Sequence, residues 1–533
     1  MVDPLAVPRP RQLPLIRAAR SARVWRVALW GIVAVGLFAY ARIFQSTYID
    51  DTYITLVYVR NLADHVGWGF FPGQTTNTAT SPLNVIVLAA FAKVTGSALT
   101  AVAVAMAAEW TLTLAVLLRI SRQITGAAYA GLFTFAILAT SPLLLSAIGL
   151  EGYLYILLLL TALLQFLTRR WGPMAVALGL LTITRPEGLL LLIVILAVLP
   201  TSWSTRGRVV LTYGLTILPW YLFSWVQLGS LIPDTLIIKV DQQPWDGTTL
   251  FVNGPLLYLD RFPAATIGSV WPVLLIPFAL LALRRGTSVA RRAMVALVLY
   301  GVAHYLAYSA LGVPPFHWYY THEVVVIALL GGLGAGESLR RLAAWRPTIG
   351  RPLAYAATLL PAATLVTLLA GQGAPLGQAP IHSNWAQPEQ YRTIAGDIRA
   401  EVEPGATVDF RGEVGTLSWY SDRYLLDTFT DRDRTSAAID RLGDDQPAPV
   451  RWLLTINFLW RDDAVPLPAA AYVIDFAAPR PVAGVDPATD PNYVDSWITW
   501  SRWVPYNRIV LSRVPDAPAA TGVVAGPADG RRS

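Results

Sequence analysis

The chain has 533 residues, of which 54% are apolar and 14% charged, and its mean hydropathy is +0.48. A water-soluble core does not need this much apolar sequence, so the composition indicates an integral membrane protein. The absence of cysteine excludes disulfides and thiolate metal sites. The pI near 9.5 is also typical of nucleic-acid-binding proteins, but here the basic residues lie in short clusters between apolar runs, as in cytoplasmic membrane loops.

About 20 apolar residues are needed to cross a bilayer, and this rule predicts about eleven spans. They lie near residues 24–43, 99–118, 126–147, 152–168, 172–184, 188–200, 208–226, 266–283, 293–311, 321–336 and 353–371. The apolar stretch 82–95 is short and carries Lys93, so we expect a juxtamembrane helix there. Residues 1–23 are expected to form a cytoplasmic arm and not a cleaved signal peptide, because no small-residue cleavage site follows the first apolar run.

The basic residues predict the orientation of the chain. Residues 1–371 hold 26 of the 41 Lys and Arg residues, and eleven spans place 20 of these 26 on the side of the N-terminus. The positive-inside rule makes that side cytoplasmic, so the C-terminal part is expected outside a plasma (inner) membrane. Most acidic residues of the membrane part then lie at the outer face. This bias favours an acidic outer cavity, although the ordinary need of loops for polar residues also explains it.

The C-terminal part has the pattern of a small α/β domain. Residues 391–402 have the spacing of an amphipathic helix, and strands are expected at 406–410, 452–456, 471–476 and 508–514. Helices that alternate with strands predict an extracytoplasmic α/β domain over residues 379–516. The small and polar residues 517–533 are expected to be disordered.

Two adjacent carboxylates, Asp50 and Asp51, stand out in the first extracytoplasmic loop, residues 44–98. They come at the start of a stretch whose spacing predicts an amphipathic helix lying on the membrane. A carboxylate there can simply cap the helix and complement its dipole. Adjacent side chains point in different directions, so one acid can cap while the other faces a substrate. A carboxylate near an apolar boundary has a raised pKa and can act as a general base. The sequence does not separate Asp50 from Asp51.

Further charged candidates lie at the predicted outer ends of the spans. Arg185 and Glu187 flank a proline between two half-length apolar segments, and such a break is tolerated where it lines protein or a cavity. The two charges can also simply neutralise one another. Glu151 opens a span, where helix capping is the alternative to a functional role. Lys239 is one of few outer basic residues and suits an anionic partner such as a lipid phosphate, with Arg60 and Arg261 as alternatives.

Aromatic and histidine residues cluster at the entrance to the span near 321–336. His317 and His322 flank Tyr319 and Tyr320. Aromatic side chains at this depth usually form an interfacial belt, whereas a histidine can donate a hydrogen bond to a phosphate. No Walker motif, zinc-binding HExxH helix or GxSxG elbow occurs in the sequence. We therefore expect no required cofactor or metal, and no motif specifically indicates a divalent cation.

The loop with Asp50 and Asp51 resembles the first extracytoplasmic loop of the GT-C superfamily of membrane glycosyltransferases. The resemblance extends through 149–152, 184–188, 232–235 with Lys239, 316–320 and 412–427. Among GT-C members it is strongest to cell-wall arabinofuranosyltransferases and glycosyltransferase 39-like proteins. It implies an inverting transfer of a hexose or pentose from a polyprenyl-phosphate donor to a hydroxyl of a cell-envelope glycan, glycolipid or protein at the outer membrane face.

With this resemblance, the catalytic candidates are Asp50 and Asp51. The candidates for binding the donor phosphate or sugar are Arg60, Lys239, His317, Tyr319 and Tyr320. The supporting polar candidates are Glu151, Arg185, Glu187, Asp234 and His322. The alternatives are a transporter or flippase of a lipid-linked glycan, or a non-catalytic scaffold. The sequence leaves open the sugar, the acceptor, the polyprenol length, the oligomeric state and the role of the C-terminal domain.

Overall fold

The computed structural model describes residues 13–71, 74–126, 128–242, 244–245, 247–285, 287–372, 377–410, 412–444, 446–461, 469–477 and 490–515. Most of the arm predicted at 1–23 and the disordered tail predicted at 517–533 therefore lie outside the described residues.

The sequence up to residue 372 forms helices. In chain order they are α1 (Leu13–Ile43), α2 (Asp50–Ala63), α3 (Pro82–Thr95), α4 (Ala98–Thr125), α5 (Tyr129–Ala139), α6 (Pro142–Leu145), α7 (Gly152–Leu167), α8 (Trp171–Thr184), α9 (Gly188–Val198), α10 (Trp203–Gln227), α11 (Thr235–Asp241), α12 (Gly254–Arg261), α13 (Pro263–Val270), α14 (Ile276–Arg285), α15 (Ser288–Leu311), α16 (Thr321–Trp345), α17 (Pro347–Ala357) and α18 (Leu360–Gln372).

Six helical segments among the described residues are long and apolar enough to cross a membrane. They are Trp25–Thr47, Ala98–Thr125, Trp203–Gln227, Pro263–Leu280, Ser288–Leu311 and His317–Trp345. Each coincides with a predicted span, which confirms a polytopic helical membrane protein. The other five predicted spans fall on apolar helices of 10–17 residues, shorter than the roughly 20 residues that cross the hydrocarbon directly. The count of eleven spans and the orientation of the termini stay predictions.

Prolines divide two of the predicted spans. In the span predicted at 126–147, α5 ends at Ala139 and a new short helix begins at Pro142. The span predicted at 266–283 contains a 3₁₀ turn, Trp271–Leu275, between α13 and α14. Proline removes a backbone donor and disfavours helical geometry at the residue before it, so an apolar run with an internal proline does not stay one continuous helix.

The break between the two half-length segments is confirmed. Helix α8 ends at Thr184 and α9 begins at Gly188, with Arg185, Pro186 and Glu187 between them. Both charged side chains of the break are buried. The two charges therefore face other protein groups, as a broken helix at membrane depth requires.

The C-terminal part contains helices and a mixed sheet. The helices are α19 (Pro388–Glu401), α20 (Val414–Ser421), α21 (Arg432–Asp444) and α22 (Ala448–Asn457), and the strands are β1 (Thr407–Phe410), β2 (Tyr424–Leu426), β3 (Tyr472–Ala477), β4 (Tyr493–Thr499) and β5 (Asn507–Arg513). The sheet order is β2-β1-β3-β5-β4. Strand β1 pairs in parallel with β2 and β3, whereas β5 pairs antiparallel with β3 and β4. A small C-terminal α/β fold is thus present.

One predicted strand is wrong. Residues 452–456 belong to helix α22. Pro449 stands in the first turn of this helix, where the missing N–H costs nothing and the fixed φ favours helix initiation. A short apolar run does not by itself distinguish a strand from a helix, and the proline decides here.

Helix α2 connects the membrane part to the C-terminal part. It begins at Asp50, as predicted, but it packs between α3 and α20. We expected an amphipathic helix lying on the membrane. Its side chains at Tyr53, Val57 and Tyr58 are instead buried within the protein. A helix that is buried on two faces can present different residues to two neighbours, and α2 does so.

Candidate functional site

A cavity lies beside α2, α3 and α11 and beside the segments that precede α7 and α16. It brings five predicted site residues together: Asp51, Glu151, Arg185, Lys239 and Tyr319. The other polar and aromatic residues that line it are Thr55, Tyr58, Thr78, Thr80, Ser81, Thr235, Trp318 and Phe429. The cavity therefore combines carboxylates, cations, hydroxyls and rings, the groups with which proteins bind sugars and phosphates.

One face of α2 forms a wall of this cavity. Asp51, Ile54, Thr55 and Tyr58 follow one another at helical spacing and all line it. Asp51 is partly buried, and the described residues offer its carboxylate no side-chain or backbone donor from another residue. This acid therefore remains available to a bound molecule.

The neighbouring acid, Asp50, faces helix α20. Its carboxylate accepts hydrogen bonds from the backbone N–H groups of Gly415 and Thr416, at 2.9 and 2.7 Å. These amides belong to the first turn of α20, so Asp50 caps that helix and complements the positive end of its dipole. The side chain is 4% exposed. Asp50 thus joins the membrane part to the C-terminal part and does not line the cavity.

Close backbone packing makes this cap possible. A Cβ atom at Gly415 would meet the backbone oxygen of Asp50 and lie 2.9 Å from the backbone nitrogen of Ile54. Glycine therefore allows the start of α20 to approach the first turn of α2.

The surroundings of the two aspartates shift their acidity. Burial raises the pKa of Asp50 to about 6, against the lowering effect of the two amide donors. Burial also raises the pKa of Asp51, and the positive charge of Lys239 offsets part of this effect. A raised pKa makes the carboxylate of Asp51 a better proton acceptor than a solvated aspartate.

Lys239 reaches the cavity from α11 between two aromatic rings. Its ammonium nitrogen lies 3.6 Å from the ring centroid of Phe316 and 5.0 Å from that of Phe429. Burial lowers its pKa, whereas Asp51 acts in the opposite direction. Among the described residues no carboxylate lies within ion-pair distance of Lys239. Its charge is therefore held by rings and long-range attraction, which leaves its donors for an anion.

Arg185 is fixed within a network of acids and phenols. Its guanidinium donates to Glu151, to Glu187 at 2.5 Å and to the hydroxyl of Tyr308 at 2.8 Å. It also lies 5.5 Å from the ring centroid of Tyr319. Arg185 and Glu187 do pair, but the same arginine binds Glu151 and lines the cavity. The break between α8 and α9 therefore has both predicted features: its two charges pair with one another, and it lines a cavity.

The turn before α7 brings Glu151 to the cavity. Thr52 of α2 donates to the carbonyl of Ile148 at 2.8 Å, and Asn84 of α3 donates to that of Gly149 at 3.2 Å. Gly149 has a φ of +89°, and a Cβ there would meet the side chain of Thr52. Only glycine fits this turn without strain, so the acid that follows is held by both α2 and α3.

Three predicted donor-binding residues lie outside the cavity. His317 is buried against the carbonyl of Ser146, at 3.3 Å, and Tyr320 donates to the carbonyl of Phe251 at 2.6 Å. Arg60 lies on the α20 side of α2, where it is 3.7 Å from Asp422. Each of these three side chains makes contacts within the protein that support the fold, so no bound ligand is needed to account for them.

Three supporting residues also lie beyond the lining. Asp234 is buried and accepts a hydrogen bond from Ser230 at 2.7 Å. Glu187 stands behind Arg185. His322 donates from Nδ1 to the carbonyl of Tyr319, with its Nε2 3.7 Å from Glu187. Glu187, His304 and His322 place three potential metal-ligating atoms within 4.8 Å of one another.

Most of the cavity lining was not among the predicted site residues, and Thr55 and Phe429 illustrate why. Thr55 lies four residues after Asp51, so the helical spacing of α2 is a signal that could have found it. Phe429 follows β2 in the C-terminal part, and no local pattern associates it with α2 or α11.

Comparisons with known proteins bear on the fold. No protein-family model matches the chain, and no curated protein matches it by sequence. The structure of ArnT from Cupriavidus metallidurans bound to undecaprenyl phosphate is 14% identical, with a TM-score of 0.56 over 92% of this chain and 99% of that chain. The apo oligosaccharyltransferase from Archaeoglobus fulgidus is 12% identical, with a TM-score of 0.50 over 83% of this chain and 69% of that chain.

A third match is to the arabinofuranosyltransferase AftD from Mycobacteria. It is 14% identical, with a TM-score of 0.48 over 92% of this chain and 40% of that chain, too distant to indicate which sugar this chain uses. ArnT and the Archaeoglobus enzyme are members of the GT-C superfamily of membrane glycosyltransferases, and this chain has the GT-C fold.

Proposed function

We propose that the protein is an inverting glycosyltransferase that moves a sugar from a polyprenyl-phosphate donor to an acceptor hydroxyl at the outer face of the membrane. The observation that carries this proposal is one cavity that holds both the carboxylate of Asp51 and the ammonium of Lys239. A carboxylate can accept the proton of a hydroxyl, and a cation can bind the phosphate that leaves.

The proposed reaction is a single displacement at the anomeric carbon. Asp51 takes the proton from the acceptor hydroxyl as its oxygen forms a bond to the anomeric carbon. The bond from that carbon to the phosphate oxygen breaks on the opposite side of the sugar, and the configuration inverts. The electron pair of the broken bond stays on the polyprenyl phosphate, which gains one negative charge.

The departing phosphate needs positive charge more than it needs a proton. Lys239 supplies a partly buried ammonium group, whose attraction for an anion is stronger than in open solvent. Arg185 adds a guanidinium group that Glu151 and Glu187 already orient. The hydroxyl of Ser81 lines the cavity, has no hydrogen-bond partner among the described residues and is available to bind the sugar.

The class of donor is supported by the fold. The matching ArnT structure holds undecaprenyl phosphate. The negative charge of such a lipid phosphate suits the two cations of this cavity, Lys239 and Arg185. The acceptor, the identity of the sugar and the polyprenol length are left to experiment, with a cell-envelope glycan, glycolipid or protein as the expected acceptor class.

The test is transfer of radiolabelled sugar in proteoliposomes from a panel of polyprenyl-phosphate hexoses and pentoses. Wild type is compared with Asp51→Asn, and Asp64→Asn is the matched control, because Asp64 is an exposed acid at the end of the same helix. We expect one donor to be used by wild type and the control, and transfer to fall by about 10²- to 10⁴-fold in Asp51→Asn.

Equal transfer by all three proteins would remove Asp51 from the mechanism. Movement of a lipid-linked sugar across the bilayer, without transfer from any donor in the panel, would instead favour the transporter or flippase.

A further inference from the structure

We propose that Glu187, His304 and His322 form a binding site for a divalent transition-metal ion, with Zn²⁺ as the best match to two imidazoles and one carboxylate. One ligating atom from each residue lies within 4.8 Å of the others. The site is behind the cavity, is separate from the proposed transfer chemistry and does not depend on it.

The histidine hydrogen bonds leave the correct nitrogen atoms for a metal. Nδ1 of His304 lies 2.7 Å from a carboxylate oxygen of Glu323, and Nδ1 of His322 donates to the carbonyl of Tyr319. In both rings Nε2 is buried and has no hydrogen-bond partner among the described residues. A carboxylate or carbonyl that fixes Nδ1–H while Nε2 stays free is the arrangement that supports metal-bound histidines.

The third ligand is already close to one of these nitrogens. An oxygen of Glu187 lies 3.7 Å from Nε2 of His322. Ligands of one tetrahedral zinc ion stand about 3.4 Å apart at bond lengths of about 2.1 Å. The rings of His304 and His322 are stacked, with centroids 3.9 Å apart. The lone pairs of stacked rings lie in nearly parallel planes, so both rings would have to tilt out of this stack to bind one ion.

The charge around the three ligands favours a dication. Glu151 and Glu187 both pair with Arg185, so two buried carboxylates face one guanidinium beside the three ligand atoms. Carboxylates therefore outnumber cations in this buried network, where unpaired charge is costly. A divalent ion bound by Glu187 would offset this excess and occupy the two unpartnered nitrogens at the same time.

The site is connected to the cavity through Glu187. The same carboxylate accepts hydrogen bonds from Arg185 and from Tyr308. A metal ion at Glu187 would thus fix the carboxylate that orients Arg185 at the cavity. The proposed role is therefore structural and not catalytic.

The experiment uses the full-length protein purified in detergent without chelators. Bound metal is measured by mass spectrometry, the ion is then removed with EDTA, and Co²⁺ is added while its visible absorption is recorded. We expect one ion per chain and the absorption bands of Co²⁺ bound to nitrogen and oxygen ligands. A folded wild-type protein that binds no metal as purified and gives no Co²⁺ bands would overturn the proposal.

Variants locate the ion. We expect His304→Gln and His322→Gln to lose the Co²⁺ bands, and Glu323→Gln to weaken Co²⁺ binding by about 10- to 100-fold. His382→Gln is the matched control, because this histidine is also buried with a free ring nitrogen but forms no such cluster with other described residues. Bands that persist when both His304 and His322 are replaced, or that vanish only with His382, would refute the assignment.

Discussion

Asp50 and Asp51 are neighbours in the chain, yet their carboxylates serve opposite sides of α2. Asp50 accepts two backbone hydrogen bonds from the first turn of α20, whereas Asp51 lines the cavity. The acid pair is therefore one acid that holds the C-terminal part in place and one that faces the proposed substrate. This division separates the effects expected from the two substitutions.

Asp50→Asn is expected to lower stability. An asparagine keeps one acceptor oxygen but loses the charge and leaves one of the amides of Gly415 and Thr416 without its partner. The loss of a buried, charge-assisted hydrogen bond costs about 1–3 kcal/mol. Thermal unfolding followed by tryptophan fluorescence should show a lower Tm, while transfer at temperatures below unfolding persists.

Asp51→Asn supplies the comparison for this result. Its carboxylate accepts no hydrogen bond from another described residue, so its Tm should stay within error of wild type while transfer is lost. The reverse pattern, with lost transfer in a stable Asp50→Asn protein, would exchange the two roles.

Transfer should depend on pH through Asp51 and Lys239. Because the base must be ionised, the rate falls as pH drops through the pKa of Asp51, and burial places this acid limb above the ordinary aspartate value of about 3.9. Because the phosphate needs an ammonium partner, the rate also falls at high pH, below the ordinary lysine value of about 10.4, since burial lowers the pKa of Lys239. The measurement is kcat/KM across this pH range.

Lys239→Gln tests the coupling of these two groups. Removal of the positive charge takes away an influence that lowers the pKa of Asp51, so the acid limb should move to higher pH and the basic limb should disappear. Lys239→Arg keeps the charge and should keep the acid limb close to its position in wild type. An acid limb that is identical in wild type and Lys239→Gln would contradict the coupling.

Local sequence was sufficient for the helical frame. Apolar runs marked the membrane helices, Pro186 marked the break between α8 and α9, and the acid pair marked the start of α2. These features depend on neighbouring residues, so periodicity and proline chemistry report them directly. The same local signals failed at 452–456, where an apolar run is helical.

Long-range contacts could not be obtained in this way. Gly415 and Thr416 are 365 and 366 positions from Asp50, and the three clustered residues Glu187, His304 and His322 come from three separate segments. No spacing rule relates positions so far apart, because tertiary packing alone brings them together. Most of the helical architecture was therefore predictable, whereas the division of roles between the two aspartates was not.

Gly415→Ala should weaken the junction between α2 and α20. The added methyl group would press against the backbone of Asp50 and Ile54, which cannot move as easily as a side chain. Overpacking of this kind costs about 1–3 kcal/mol, and we expect a corresponding decrease in Tm.

The control for this substitution is Gly396→Ala. Gly396 lies within α19, and a Cβ there meets nothing within 4 Å. Alanine in a helix interior is favoured over glycine by up to about 1 kcal/mol, so this variant should be as stable as wild type or more so. Equal Tm changes in the two variants would argue against close packing at Gly415.

Phe429→Ala should reduce transfer without unfolding the protein, because the ring lines the cavity and lies 5.0 Å from the ammonium of Lys239. A cation–π contact contributes about 0.5–2 kcal/mol, which corresponds to a decrease of about 2- to 30-fold in kcat/KM. Trp460→Ala is the control, since Trp460 is an aromatic residue of the C-terminal part that is 55% exposed. A decrease confined to Phe429→Ala would make the C-terminal part a contributor to the site. Unchanged kinetics in both variants would leave that part with structural contacts only, such as those through Asp50 and Arg60.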